Sequence, residues 1–227
     1  MTEKEKRASQ KIYDASVPEI GRELSACTEA CYLYNQMAPS RREERRELMR
    51  RILGRTGERF VIVSPFWCDF GYNIEIGENF FSNYNVVILD EAKVTFGDHV
   101  FVAPNCGFYT AGHPLDAERR NKSLEFAYPI TVGNNVWIGA GTTVLPGVTI
   151  GDNAVIGAGS VVNRDIPSGV VAAGNPCPVI PPISEKEFSP HLGRGNLNFL
   201  CCWIIFFAKI SPALSHFLAV CPGECTY

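Results

Sequence analysis

A six-residue period between Val132 and Val162 constrains this 227-residue chain more than any other feature. Val132, Ile138, Val144, Ile150, Ile156 and Val162 are β-branched aliphatics at six-residue spacing, and Gly133, Gly139, Gly151 and Gly157 directly follow four of them. An α-helix repeats about every 3.6 residues and a strand about every two, so neither generates this pattern. A parallel β-helix does, because each short strand contributes one inward aliphatic before a turn bends the chain to the next face. With three faces per coil, Val132 stacks on Ile150, Ile138 on Ile156 and Val144 on Val162. Such stacking buries an apolar column that no single coil could bury alone.

The same period runs earlier with one slip. Ile76, Ser82 and Ile88 keep the spacing, and Phe96, Val102 and Phe108 resume it two residues late. The slip falls at Asp90, Glu91, Ala92 and Lys93, which predicts a two-residue bulge at a corner, a device that re-aims side chains beside a site. After Phe108 the period stops until Val132. The segment between, residues 109–131, carries Gly112-His113-Pro114 and a polar run from Asp116 to Ser123. It reads as a loop leaving the repeat, and long loops in compact domains are commonly functional.

Composition narrows the setting. A hydrophobic content of 46% and a charged content of 20% suit an ordinary globular protein. The net charge of -3 offers no electrostatic case for nucleic acid or an acidic membrane as partner. Met1 to Ser9 are charged and polar, unlike a secretory signal, so the expected compartment is the cytoplasm. Nine cysteines are present, but Cys27/Cys31, Cys201/Cys202 and Cys221/Cys225 lack the two-residue gaps and histidine partners of zinc sites. Reduced thiols and no metal are the expectation.

The flanks differ from the repeat. Residues 1–57 read as a helical module: Pro39-Ser40 offers a helix start, and Leu48, Met49, Ile52 and Leu53 form an apolar stripe. The seven arginines between Arg41 and Arg55 have Glu43, Glu44 and Glu47 at helical spacing, which makes them a solvated face rather than a nucleic-acid patch. The β-helix occupies residues 58–183. Residues 184–227 form an atypical tail whose run Leu197 to Ala208 is apolar, but Lys209 and Pro212 interrupt it short of the roughly 20 residues a membrane span needs. The expectation is either packing on the protein or an assembly partner, or an atypical, poorly ordered extension.

Of four histidines, His99 sits in a coil turn, His191 and His216 lie in the tail, and His113 alone lies in the protruding loop. Histidine can take a proton from a hydroxyl near neutral pH and return it to a leaving group. A surface loop histidine with no such role fits the local residues equally well. Longer motifs decide between the two readings: residues 69–77 (DFGYNIEIG), 80–85 (FFSNYN), Leu89-Asp90, 111–114 (AGHP), 129–139 (PITVGNNVWIG), 146–151 (PGVTIG) and 171–177 (VAAGNPC). In these, the chain resembles the maltose and galactoside O-acetyltransferases of the hexapeptide-repeat superfamily, from about Lys6 to Ile183.

The resemblance implies a mainly β fold, a left-handed parallel β-helix with an N-terminal helical module. It further implies a homotrimer with active sites between neighbouring prisms, and acetyl-CoA as co-substrate. His113 then corresponds to the general base, Glu125 to the residue that orients it, and Asn83 to a polar group at the reaction centre. Asp14, Asp69, Asn83 and Asp90 correspond to contacts with the acceptor's hydroxyls, with Glu91 the substitute for Asp90. Trp137, Ala140, Ala158, Asn163 and Arg164 correspond to the coenzyme site. One departure stands out, since Pro178 and Pro181 occupy positions that are usually basic in the family. Weaker coenzyme binding follows from the lost charge. A zinc-dependent carbonic anhydrase of similar fold would need three histidines, and only His99 and His113 fall in the prism. Transfer to an amine or a specialised-metabolite hydroxyl, and a degenerate non-catalytic scaffold, remain as rivals.

Overall fold

A computed structural model describes residues 1–181, which form one compact unit, Met1–Pro181. The apolar run and the membrane question lie outside the described residues, and among those described no helix is long and apolar enough to cross a membrane. The chain opens with α1 (Glu3–Ala8), β1 (Tyr13–Asp14), α2 (Pro18–Gln36) and α3 (Arg42–Ile52). Three-strand coils follow: β2 (Phe60–Ile62), β3 (Phe66–Cys68) and β4 (Ile74–Ile76), then β5 (Phe80–Ser82), β6 (Val86–Leu89) and β7 (Val94–Phe96). The third coil has β8 (Phe101–Val102) and β9 (Gly107–Tyr109), then an excursion with β10 (Ala111–Gly112), α4 (Ala117–Arg120) and β11 (Leu124–Ala127), and closes with β12 (Ile130–Val132). The stack ends with β13 (Trp137–Ile138), β14 (Thr143–Val144), β15 (Thr149–Ile150), β16 (Val155–Ile156), β17 (Val161–Val162), β18 (Val171–Ala172) and β19 (Val179–Ile180).

Three parallel sheets make the prism faces, with orders β15-β12-β7-β4, β19-β18-β16-β13-β8-β5-β2 and β17-β14-β9-β6-β3, only β19 running antiparallel. The register is the one the six-residue period predicts: Val132 beside Ile150, Ile138 beside Ile156, Val144 beside Val162. Each of these six side chains is at most 1% exposed. The slip is real as well. Ile76, Ser82 and Ile88 pair with Phe96, Val102 and Phe108, so the coil with the corner at residues 90–93 is longer by two residues. Phe80, Phe96 and Phe108 fill the interior, with ring centroids 5.1 and 5.0 Å apart and an edge-on contact in the second pair.

The corners explain the glycine and asparagine positions. A Cβ on Gly133 would sit 2.3 Å from Asp152 Oδ1 in the next coil, so only glycine lets the coils stack there. Asn85, Asn105, Asn135 and Asn153 take left-handed backbone angles, which asparagine tolerates better than most residues. Their amides also join coil to coil, Asn85 to Asn105 at 3.0 Å and Asn135 to Asn153 at 3.2 Å.

The helical module caps the first coil. Pro18 starts α2, which buries Ile20, Cys27, Cys31 and Tyr34. α3 begins at Arg42, with Arg41 at its cap and no side-chain capping bond, so the expected Ser40 start is displaced. Met49, Ile52 and Leu53 are buried in the shared core, with Leu48 at its edge. The arginine face carries ion pairs three residues apart, Arg41–Glu44, Arg46–Glu43 and Arg50–Glu47. These exposed pairs account for three of the arginines without invoking nucleic acid.

Candidate active site

The segment expected to be a simple loop is built into a small sheet. β10 pairs antiparallel with β11, and β11 pairs with β1 from the N-terminal module, in the order β1-β11-β10. Tyr13 thereby stands opposite Glu125, and Gly112 opposite Phe126. Gly112 has to be small, since a Cβ there would lie 2.5 Å from the Phe126 ring. His113 follows it directly. Its Nδ1 is 4.0 Å from Glu125 Oε1, and Glu125 Oε2 accepts a hydrogen bond from the Tyr13 hydroxyl at 2.6 Å.

That arrangement fixes one end and frees the other. Tyr13 is 1% exposed, and burial, then the bond to Glu125, raises its hydroxyl well above the usual tyrosine range. It therefore stays a donor and anchors the carboxylate. The His113 side chain is 55% exposed and that of Glu125 21%, so the imidazole reaches outward from a held carboxylate. At 4.0 Å the pair is in ion-pair range and not yet hydrogen-bonded, a separation that commonly closes when substrate binds. Nothing in the sequence alone marks Tyr13, because its pairing with Glu125 spans 112 residues.

The corner bulge separates Asp90 from Glu91. Asp90 is fully buried, and its Oδ1 accepts from the backbone amides of Asp69 at 3.0 Å and Phe70 at 2.8 Å. Its Oδ2 is buried without a partner, and burial pushes its carboxyl up to about 6. Asp90 holds the loop before β4, with its side chain buried in the single chain. The next residue, Glu91, is turned toward Asp69. Burial first, then a hydrogen bond and charge from Asp69, push Glu91 up to about 9. Glu91 therefore keeps its proton at neutral pH. Glu125 contributes to raising Glu91, and Glu91 to raising Tyr13, so the two clusters are electrostatic neighbours.

The other expected residues are dispersed. Asp14 lies beside the histidine's sheet, opposite Leu124, but its Oδ1 accepts from the Ser16 amide at 2.8 Å and the Ser16 hydroxyl at 2.6 Å. Asn83 directly follows β5, on a different prism face from the β9 strand that leads to His113, and its Oδ1 accepts from the Tyr84 amide at 2.8 Å. Trp137 points outward on β13, in register with Phe101 and Val155. Ala140 and Ala158 share a corner one coil apart, where the Ala140 carbonyl accepts from Gly159 N at 2.8 Å. Asn163 and Arg164 are exposed after β17, while Pro178 and Pro181 are exposed near the end of the described chain. No cation stands at either proline position.

Comparison with known proteins agrees with this architecture. The maltose acetyltransferase hexapeptide capping motif matches residues 6–57, and the bacterial transferase hexapeptide repeat matches residues 129–164. A Saccharomyces cerevisiae relative named as an acetyltransferase is 52% identical over 177 residues, covering 78% of this chain and 90% of the relative. A maltose O-acetyltransferase from Clostridium difficile 630 superimposes with a TM-score of 0.79 at 47% identity, over 82% of this chain and 99% of that one. A galactoside acetyltransferase solved with coenzyme A gives the same TM-score, 0.79, at 38% identity, over 87% of this chain and 99% of that chain. The stack of about six turns is the left-handed β-helix of those enzymes. With the capping module, the hexapeptide coils and the full-length likeness together, the chain belongs to the maltose and galactoside O-acetyltransferase family and is an acetyl-CoA-dependent acetyltransferase.

Proposed function

We propose that the protein moves the acetyl group of acetyl-CoA to a hydroxyl of a sugar or similar polyol, with His113 as the general base. The carrying observation is the chain of contacts from Tyr13 through Glu125 to His113, anchored in the β1-β11-β10 sheet. Glu125, held by Tyr13, orients the ring and steadies the positive charge His113 gains when it takes the acceptor's proton. The freed oxygen attacks the thioester carbonyl, and His113 returns the proton to the departing thiolate. Asn83 is the candidate donor to the acceptor or to the oxyanion that develops on the carbonyl.

Acceptor recognition falls to Asp69 and Glu91. A carboxylate accepts hydrogen bonds only, whereas a protonated carboxyl also donates one. The protonated Glu91 can therefore donate to a polyol as well as accept, with Asp69 beside it and Asp14 at the edge of the sheet as a further contact. Acetyl-CoA would lie along Trp137, Ala140, Ala158 and Asn163, with Arg164 toward its phosphates.

A homotrimer completes the site in this reading. His113 stands at the surface of the single chain, and a neighbouring prism would hold the substrates against it in alignment. The cytoplasm, which holds acetyl-CoA, is the compartment this reading takes. Mass spectrometry of products from acetyl-CoA and a panel of sugars, polyols and amines tests the proposal. A mass gain of one acetyl on a sugar hydroxyl is expected. Acetylation confined to amines would overturn it.

A further inference from the structure

Three cysteines unconnected with acetyl transfer converge beneath the helical module. Cys27 and Cys31 are one helical turn apart on the inner face of α2, and Cys68 closes β3 below them. Cys68 Sγ is 3.6 Å from Cys27 Sγ and 3.6 Å from Cys31 Sγ, and all three sulfurs lie within 4.8 Å of one another. For a third edge between those two lengths, the circle through the sulfurs has a radius of about 2.1–2.4 Å, and a metal–thiolate bond is about 2.3 Å. A single ion at the centre would reach all three without moving the backbone.

From this geometry we propose that Cys27, Cys31 and Cys68 form a binding site for one soft monovalent metal ion, copper(I). Thiolates select soft cations. The coordination number selects among those, because structural zinc takes four protein ligands. Among the described residues, no histidine, aspartate or glutamate ligand atom joins the three sulfurs. A d¹⁰ monovalent ion is satisfied by three sulfurs in a plane. Cys31 is 0% exposed, Cys68 5% and Cys27 8%, so the ion enters past Cys27 and, once seated, is shielded from water.

The surroundings hold the sulfurs in place. The two amides after Cys68, of Asp69 and Phe70, are fixed by Asp90 Oδ1, and Asn35 of α2 pins Phe66 at the start of the same strand by two bonds of 2.9 Å. Binding would displace the thiol protons into solvent and fasten α2 to the first coil. Loading would then raise the melting temperature, since a ligand bound only by the folded chain stabilises it.

The test is an anaerobic titration of the full chain with copper(I) against a chromophoric copper(I) chelator. One tightly held equivalent is expected. The C27S/C31S/C68S variant, which keeps every other cysteine, should bind at least ~100-fold more weakly, more than the effect of losing outer-shell partners. Should that variant fail to fold, Cys31→Ala serves, with X-ray absorption of the loaded wild type expected to show three sulfur neighbours at one distance. Equal uptake by wild type and variant, or fewer than three sulfurs, would show a packing cluster only and overturn the assignment. Zinc(II) titrated alone should bind more weakly than copper(I), and tighter zinc would overturn the choice of ion.

Discussion

The β-helix and the sheet that carries His113 are made by opposite means. In the prism, each coil repeats its predecessor, and strands pair with the matching strand of the next coil, as Ile76 with Phe96 and Val132 with Ile150. In the β1-β11-β10 sheet, Tyr13 meets Glu125 across 112 residues. Period makes the scaffold, and one non-periodic pairing makes the site. Damage to the prism should therefore cost stability, and damage to the sheet should cost catalysis beyond any loss of stability.

The largest expected effect lies in the scaffold. Ile138 is fully buried between Val102 and Ile156. Ile138→Ala should cost about 2–5 kcal/mol, read by chemical denaturation, because the column cannot collapse around the missing methyl groups. A loss under about 1 kcal/mol would mean that the coils are not stacked as described.

Tyr13→Phe probes the other region. It keeps the buried ring but leaves Glu125 Oε2 without its donor, costing about 1–3 kcal/mol. If the anchor positions His113, kcat should fall while the acetyl-CoA KM stays unchanged. A stability loss with kcat intact would make the tyrosine merely structural.

Glu91 gives a pH signature. Its folded-state pKa is raised from 4.5 to about 9, so its contribution is complete below about 4.5 and lost as pH rises toward 9. The slope is at most about 1.4 kcal/mol per pH unit. The difference in stability between wild type and Glu91→Gln should therefore shrink with rising pH across that window. A constant difference would mean that Glu91 is ionised throughout.

The smallest effect is expected at the coenzyme end. Pro178→Arg restores a cation at an exposed position, so tightening of coenzyme A binding should be about 1 kcal/mol and should fade with added salt. Calorimetry that finds no change would show that another cation already fills the place.

Much of the prism was legible because its signal repeats: one inward aliphatic per strand, with the slip at residues 90–93 announcing a longer coil. Of the candidate site, the sequence singled out His113 and Glu125, which the structure sets 4.0 Å apart. A bulge does not disclose which of two adjacent carboxylates turns inward, and here it is Asp90 that is buried. Tyr13 carried no local signal, since its role depends on a pairing from the far end of the chain. Cys27 and Cys31 do not follow zinc spacing rules, but four residues is one helical turn, and Cys68 brings a third sulfur beside them from a strand.

The central claim is that His113 performs the chemistry while the prism stands independently of it. Steady-state kinetics and thermal melting of His113→Ala test both halves at once. A kcat at least about 100-fold lower with an unchanged melting temperature is expected. A near-wild-type rate would contradict it.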